Sequence, residues 1–158
     1  MAILNGTPAE LAQALLARGW CLSTAESCTG GLVSAACTEL SGSSAWFERG
    51  FVTYSNAAKT EMLGVSAALI EAHGAVSEPV ARAMAEGAVH HSSAQVALSI
   101  TGVAGPTGGS ADKPVGTVCF AWATPSGVFS ERLQFSGDRA AVRYTAAEHA
   151  LRGLLQRL

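Results

Sequence analysis

The sequence predicts an α/β protein, a three-layer α/β/α sandwich around a mixed, mostly parallel sheet that ends in a C-terminal antiparallel hairpin. Two observations carry this. Short apolar runs at 20–25, 47–54 and 95–100 alternate with segments of helical period. Two longer runs of β composition, 115–123 and 128–135, are then joined by the turn Pro125-Ser126-Gly127. At 158 residues the chain is expected to be one domain spanning 1–158.

The elements follow in order. Thr7-Pro8-Ala9-Glu10 reads as a cap with Pro at the first helical position. Leu11, Ala14 and Leu15 then share one face of a helix ending near Gly19. Residues 20–25 are short enough for a strand. Leu32, Ala35, Ala36 and Leu40 share a face of a second helix, which Gly42-Ser43-Ser44 breaks. Residues 47–54 hold Phe51, Val52, Thr53 and Tyr54, a strand composition. A turn or short helix carrying Lys59, Met62 and Leu63 starts at Ser55 or Asn56. Residues 66–72 form a short helix closed by His73-Gly74. Ser77-Glu78-Pro79 opens another helix that runs to His90, and 95–100 is an apolar strand. After the hairpin strands, Ser136-Gly137-Asp138 caps a last helix beginning at Arg139. The resulting order is α, β, α, β, α, α, β, β, β, α.

Composition excludes several function classes. A net charge of −2 offers no electrostatic footprint for nucleic acid. No apolar run approaches the roughly 18 residues of a membrane span. Cys21, Cys28, Cys37 and Cys119 show neither CxxC nor zinc-ligand spacing. Without a signal segment they read as reduced thiols of a cytoplasmic protein. No metal site and no cofactor are expected.

Three loops follow strands, and in open α/β sheets ligands collect at the carboxyl ends of strands. The first is Thr24-Ala25-Glu26-Ser27-Cys28-Thr29-Gly30-Gly31. Two hydroxyls, a thiol and free N–H groups at a helix start suit an anion or a developing oxyanion. The second loop runs from Tyr54 to Lys59, and the third, 101–109, carries Gly102, Gly105, Gly108 and Gly109. That glycine loop is neither a Walker A loop nor a full dinucleotide fingerprint. If the three strands are parallel neighbours, one pocket gathers Ser27, Cys28, Thr29, Tyr54, Lys59 and the backbone of the glycine loop.

Ser27 and Cys28 are rival nucleophiles. Successive side chains point to opposite sides at a strand end, so one faces the pocket and the other packs. His73, His90, His91 and His149 lie in or beside helical segments, away from the loops. Lys59 is therefore the better base, in a Ser–Lys arrangement. A free lysine is protonated at pH 7, so Lys59 must be buried, beside Tyr54 and apolar walls, to act. Arg139 and Arg143 share a face at the start of the last helix and suit a phosphate, or Asp138 partners one of them. Glu26 and Glu48 have Arg49 and Lys59 as candidate partners.

The strings Ala25-Glu26-Ser27-Cys28-Thr29-Gly30-Gly31, Gly42-Ser43-Ser44-Ala45-Trp46-Phe47 and Gly50-Phe51-Val52-Thr53-Tyr54-Ser55-Asn56-Ala57-Ala58-Lys59 resemble the C-terminal domain of the competence/damage-inducible protein CinA. So do Gly74-Ala75-Val76-Ser77-Glu78, the glycine loop, Lys113-Pro114-Val115-Gly116-Thr117-Val118 and Phe135-Ser136-Gly137-Asp138-Arg139. The chain matches the stand-alone form, without the extra N-terminal domain that many members carry. The resemblance implies a nicotinamide-nucleotide amidohydrolase, converting nicotinamide mononucleotide to nicotinate mononucleotide and ammonia in pyridine nucleotide salvage. It places the nucleophile on Ser27 and catalytic roles on Tyr54 and Lys59, and it implies a homo-oligomer, a dimer. Substrate contacts are then expected from Thr29, Gly30, Gly31, Thr101, Gly102 and Gly105, with Arg139 and Arg143 near the ribose phosphate. The competing readings are a non-catalytic nucleotide-binding or competence-associated interaction module, and a Cys28-dependent hydrolase.

Overall fold

The computed structural model describes residues 4–158. Strands β1 (Leu22–Glu26), β2 (Phe47–Val52), β3 (Val96–Gly102), β4 (Thr117–Thr124) and β5 (Gly127–Gln134) form one sheet in the order β2-β1-β3-β4-β5. β1 pairs in parallel with β2 and with β3, whereas β3–β4 and β4–β5 are antiparallel. β4 thus runs alone against the other four strands. The mixed sheet and its C-terminal hairpin are as the sequence predicts.

Helices α1 (Thr7–Arg18), α2 (Leu32–Thr38) and α6 (Arg139–Leu155) cover one face. Helices α3 (Asn56–Leu63), α4 (Ala67–His73) and α5 (Glu78–His90) lie on the other. The sequence reading has two helices after β2 where the structure has three. The segment read as a turn or short helix is α3, a full eight residues capped by Ser55, whose Oγ accepts from the Ala58 N–H. Thr7 is not a cap. Gly6 occupies that position, and the Thr7 hydroxyl donates to Glu148.

The two faces of the sheet differ in side-chain size. Leu22, Val96, Leu98, Ile100, Val118, Phe120 and Trp122 point to the α1/α2/α6 side and form the main core. The alternate positions, Ala25, Ala97, Cys119, Ala121 and Ala123, point to α5. These small residues let the α5 backbone approach, so buried hydroxyls reach its carbonyls: Ser23 Oγ donates to Ala88 at 3.1 Å and Ser99 Oγ to Ala81 at 2.6 Å. On the opposite face Gly153 of α6 lies flat on the Trp122 ring, where a Cβ would overlap it. The Trp122 indole N–H donates to the Ala150 carbonyl at 2.8 Å. The parallel arrangement β2-β1-β3 brings the carboxyl ends of three strands side by side, which places the site.

Candidate active site

A cavity of about 240 Å³ opens where those strand ends meet. Ser27 and Cys28 after β1, Tyr54, Asn56 and Lys59 after β2, and Thr101, Gly102 and Ala104 at the end of β3 contribute to its lining. Ala75 and Val76, between α4 and α5, form a wall, and Arg139 of α6 closes another side. The three loops that the sequence singles out therefore do share a pocket. A groove of about 370 Å³ between α3 and α4 shares Asn56 with it, but its one titratable group, Glu71, is exposed.

Ser27 directly follows β1, with its N–H donating to the Ile100 carbonyl of β3 at 3.0 Å. Its hydroxyl lies 3.0 Å from Lys59 Nζ. Lys59 projects inward from α3 and is only 1% exposed. Its nitrogen also meets the carbonyls of Thr53 at 2.9 Å, Tyr54 at 3.3 Å and Ser55 at 3.5 Å. Burial pulls the Lys59 pKa below its ordinary value, because desolvation penalises the ammonium form. The buried lysine that a serine nucleophile requires is present.

Alternation would place only one of Ser27 and Cys28 at the pocket, yet both contribute to the cavity lining. Cys28 also belongs to the core on the α6 side, and burial pushes its thiol pKa up to about 12. A thiol so far from ionisation is a poor nucleophile at neutral pH. Of the two candidates, Ser27 is the one whose side chain meets Lys59.

Tyr54 enters differently from expectation. Its carbonyl, not its phenol, meets Lys59, and the side chain is 66% exposed at the pocket rim. The phenol does not bury the lysine. Among the described residues it has no hydrogen bond to Lys59 or Ser27.

Several predicted substrate contacts are spent inside the protein. The Thr29 hydroxyl donates to Glu26 Oε1 at 2.7 Å, and the residue is fully buried. The Gly31 N–H donates to the same oxygen at 3.2 Å, and the Gly30 N–H to the Ser27 carbonyl at 3.1 Å. Thr101 lines the cavity, but its hydroxyl donates to the Ala75 carbonyl and braces the wall. Arg143 braces the turn from beneath, with Nε donating to the Cys28 carbonyl at 3.0 Å and Nη2 to the Thr29 carbonyl at 3.2 Å. Arg139 does line the cavity and anchors the glycine loop through the Gly105 carbonyl at 2.7 Å. Gly102 lines it as well.

Glu26 pairs with neither Arg49 nor Lys59. Both of its oxygens serve the start of α2, and Arg49 instead joins Glu48. Asp138 caps α6 through the Ala141 N–H, and among the described residues it forms no ion pair with Arg139 or Arg143. The sequence reading missed the Ala75–Val76 wall and Asn56. Asn56 was legible, since it stands three positions before Lys59 and so shares its helix face. The wall was not, because nothing local to 75–76 points to β3.

A serine hydroxyl on a buried lysine, at the carboxyl ends of parallel strands, makes this a candidate nucleophilic centre in an α/β protein. The profile of the CinA C-terminal domain matches residues 5–158, and the chain belongs to that family. The nicotinamide-nucleotide amidohydrolase PncC of Enterobacter agglomerans is 55% identical over 97% of this chain and 94% of its own length. A CinA-like protein of Syntrophobacter fumaroxidans is 57% identical over 85% of this chain, a match spanning 32% of that longer protein. Among solved structures, a CinA superfamily protein from Escherichia coli superposes with a TM-score of 0.93 at 42% identity, covering 99% of this chain and 90% of that one.

Proposed function

We propose that this protein hydrolyses the carboxamide of nicotinamide mononucleotide, releasing ammonia and nicotinate mononucleotide, as a step of pyridine nucleotide salvage. The observation that carries the chemistry is the 3.0 Å contact between Ser27 Oγ and the buried Lys59 nitrogen. The substrate is that named for the relative 55% identical over nearly the full chain.

A neutral Lys59 fits its surroundings. Its two N–H bonds have acceptors in the nearer Thr53 and Tyr54 carbonyls, the Ser55 carbonyl standing farther off at 3.5 Å, and its lone pair then faces the Ser27 hydroxyl. Lys59 takes the Ser27 proton as Oγ bonds to the carboxamide carbon. The negative charge that develops on the carbonyl oxygen needs donors. The backbone N–H groups of Cys28 and Thr29 follow the nucleophile directly and, among the described residues, donate to no backbone carbonyl. The Lys59 ammonium then returns its proton to the amide nitrogen, the C–N bond breaks and ammonia leaves. Water, deprotonated by Lys59, attacks the acyl ester and frees the acid and Ser27. Arg139 and the Gly102 backbone line the cavity and supply the cation and the N–H that the reading assigns to the ribose phosphate. The exposed Tyr54 phenol reaches substrate at the rim.

The reading includes the cytoplasm as the compartment, supported by four free cysteines. It also includes a homodimer, supported by the exposed apolar side chains of Val52, Tyr54 and Met62; its mass in solution tests that part. The decisive experiment incubates purified protein with nicotinamide mononucleotide and a chelator, and follows ammonia and the acid product. Stoichiometric formation of both, lost in Ser27→Ala, supports the reading. Binding of the nucleotide without turnover would identify a non-catalytic binding module instead.

A further inference from the structure

We infer that Glu26 is a positioning residue for the reaction: its buried carboxylate shapes the turn that carries Ser27 and leaves the Cys28 and Thr29 N–H groups as the unspent donors. The inference rests on the proposed role of Ser27 as nucleophile.

Helix α2 begins without a local cap. Its N-cap is Gly31, at φ +108°, and has no side chain to accept the first N–H groups. Glu26, the last residue of β1, takes them instead. Oε1 accepts from Thr29 Oγ1 at 2.7 Å, Gly31 N at 3.2 Å and Val33 N at 3.0 Å. Oε2 accepts from Ser34 N at 3.1 Å and Ser34 Oγ at 2.9 Å. The side chain is fully buried, and among the described residues no lysine, arginine or histidine forms an ion pair with it. Five donors compensate the charge.

Two consequences reach the active site. The anion-binding capacity of the α2 start is filled by the protein's own carboxylate, so a substrate anion must bind elsewhere. The turn is also closed on itself from 29 to 34, and the N–H groups left over are those next to the nucleophile. The Glu26 backbone completes the link to the base: its carbonyl accepts from the Thr53 N–H at 2.8 Å, and the Thr53 carbonyl accepts from Lys59 at 2.9 Å.

The network extends under the edge strand. Ser34 Oγ lies 2.9 Å from Thr24 Oγ1, and both sit against Gly50 of β2. A Cβ at Gly50 would overlap Ser34 Oγ and come within 2.8 Å of Thr24 Oγ1. The Gly50 backbone is not in the left-handed region, so alanine there acts by displacing these hydroxyls and not by backbone strain.

The test compares Glu26→Gln and Gly50→Ala with wild type and Ser27→Ala. It measures kcat and KM for ammonia release per folded molecule, melting temperature, and the rate at which a serine-directed fluorophosphonate labels Ser27. An amide keeps the shape of the carboxylate but turns a donor toward the Ser34 or Gly31 N–H. Glu26→Gln is expected to lower kcat about tenfold or more with KM within about twofold, and to slow labelling in parallel. Gly50→Ala should move both readouts in the same direction, without touching Glu26 itself. Wild-type kcat and labelling per folded molecule in both variants, with only the melting temperature reduced, would overturn the inference and leave Glu26 a structural cap. Ammonia release by Ser27→Ala would instead overturn the assignment of the nucleophile on which it rests.

Discussion

Lys59 Nζ and Ser27 Oγ lie 3.0 Å apart although 32 positions separate them in the chain. The lysine reaches the serine because α3 follows β2, which pairs in parallel with β1, and because the Thr53 carbonyl receives the amine. Replacing Lys59 with alanine or methionine removes the base while sparing the sheet. Turnover should fall by about 10³-fold. The far-ultraviolet circular dichroism spectrum should stay that of the wild type. Retained turnover in Lys59→Met would exclude the Ser–Lys mechanism.

Activity should rise with pH. In the proposed mechanism the neutral amine is the working form, and burial places its pKa below the ordinary lysine value of 10.5. The ascending limb of kcat against pH therefore has its midpoint below 10.5 and flattens above it. The same shift has a sign for stability. Between the depressed native pKa and the unfolded one, the unfolded chain binds more protons. Stability from this group therefore increases with pH across that window and is lowest beneath it. Denaturant midpoints of wild type and Lys59→Met, compared across the alkaline range, give the difference directly.

Cys28 should be dispensable for chemistry. With its thiol pushed up to about 12, it holds almost no thiolate at pH 7. Cys28→Ala should keep kcat within about threefold and lose about 1 kcal/mol of stability for the vacated core volume. Loss of ammonia release in this variant alone, with Ser27→Ala active, would reverse the assignment.

Two glycines on opposite faces of the sheet separate site geometry from fold stability. A Cβ at Gly87 of α5 would overlap the Leu63 carbonyl at the end of α3, the helix that presents Lys59. A Cβ at Gly153 of α6 would overlap the Trp122 ring, on the far side of the sheet. Each alanine should cost about 1–3 kcal/mol. Only Gly87→Ala should also reduce kcat per folded molecule. Equal kcat in the two variants would show that α3 tolerates displacement.

Much of this centre was legible before any coordinates. The histidines lie away from the loops, which leaves Lys59 as the candidate base, whereas alternation at the end of β1 does not divide Ser27 from Cys28, since both contribute to the cavity lining. What a local reading leaves out has one cause. The Thr29 hydroxyl, the Gly30 and Gly31 N–H groups and the Arg143 guanidinium look free locally. Glu26 takes the Thr29 hydroxyl and the Gly31 N–H, the Ser27 carbonyl takes the Gly30 N–H, and Arg143 reaches the turn across more than a hundred positions. No local capping pattern predicts a carboxylate that caps a helix from beyond the turn before it.

Local patterning alone determined the kinds of element, nearly all of their order, the hairpin and the short list of reactive side chains. These depend on hydrophobic period, turn residues and side-chain chemistry, all written in neighbouring positions. Tertiary structure decided the strand order β2-β1-β3, the burial that lowers the Lys59 pKa, and the partner of each polar group around Ser27. Those depend on which distant faces pack together. A hydrogen-bond donor is free or spent only according to what the rest of the chain brings to it.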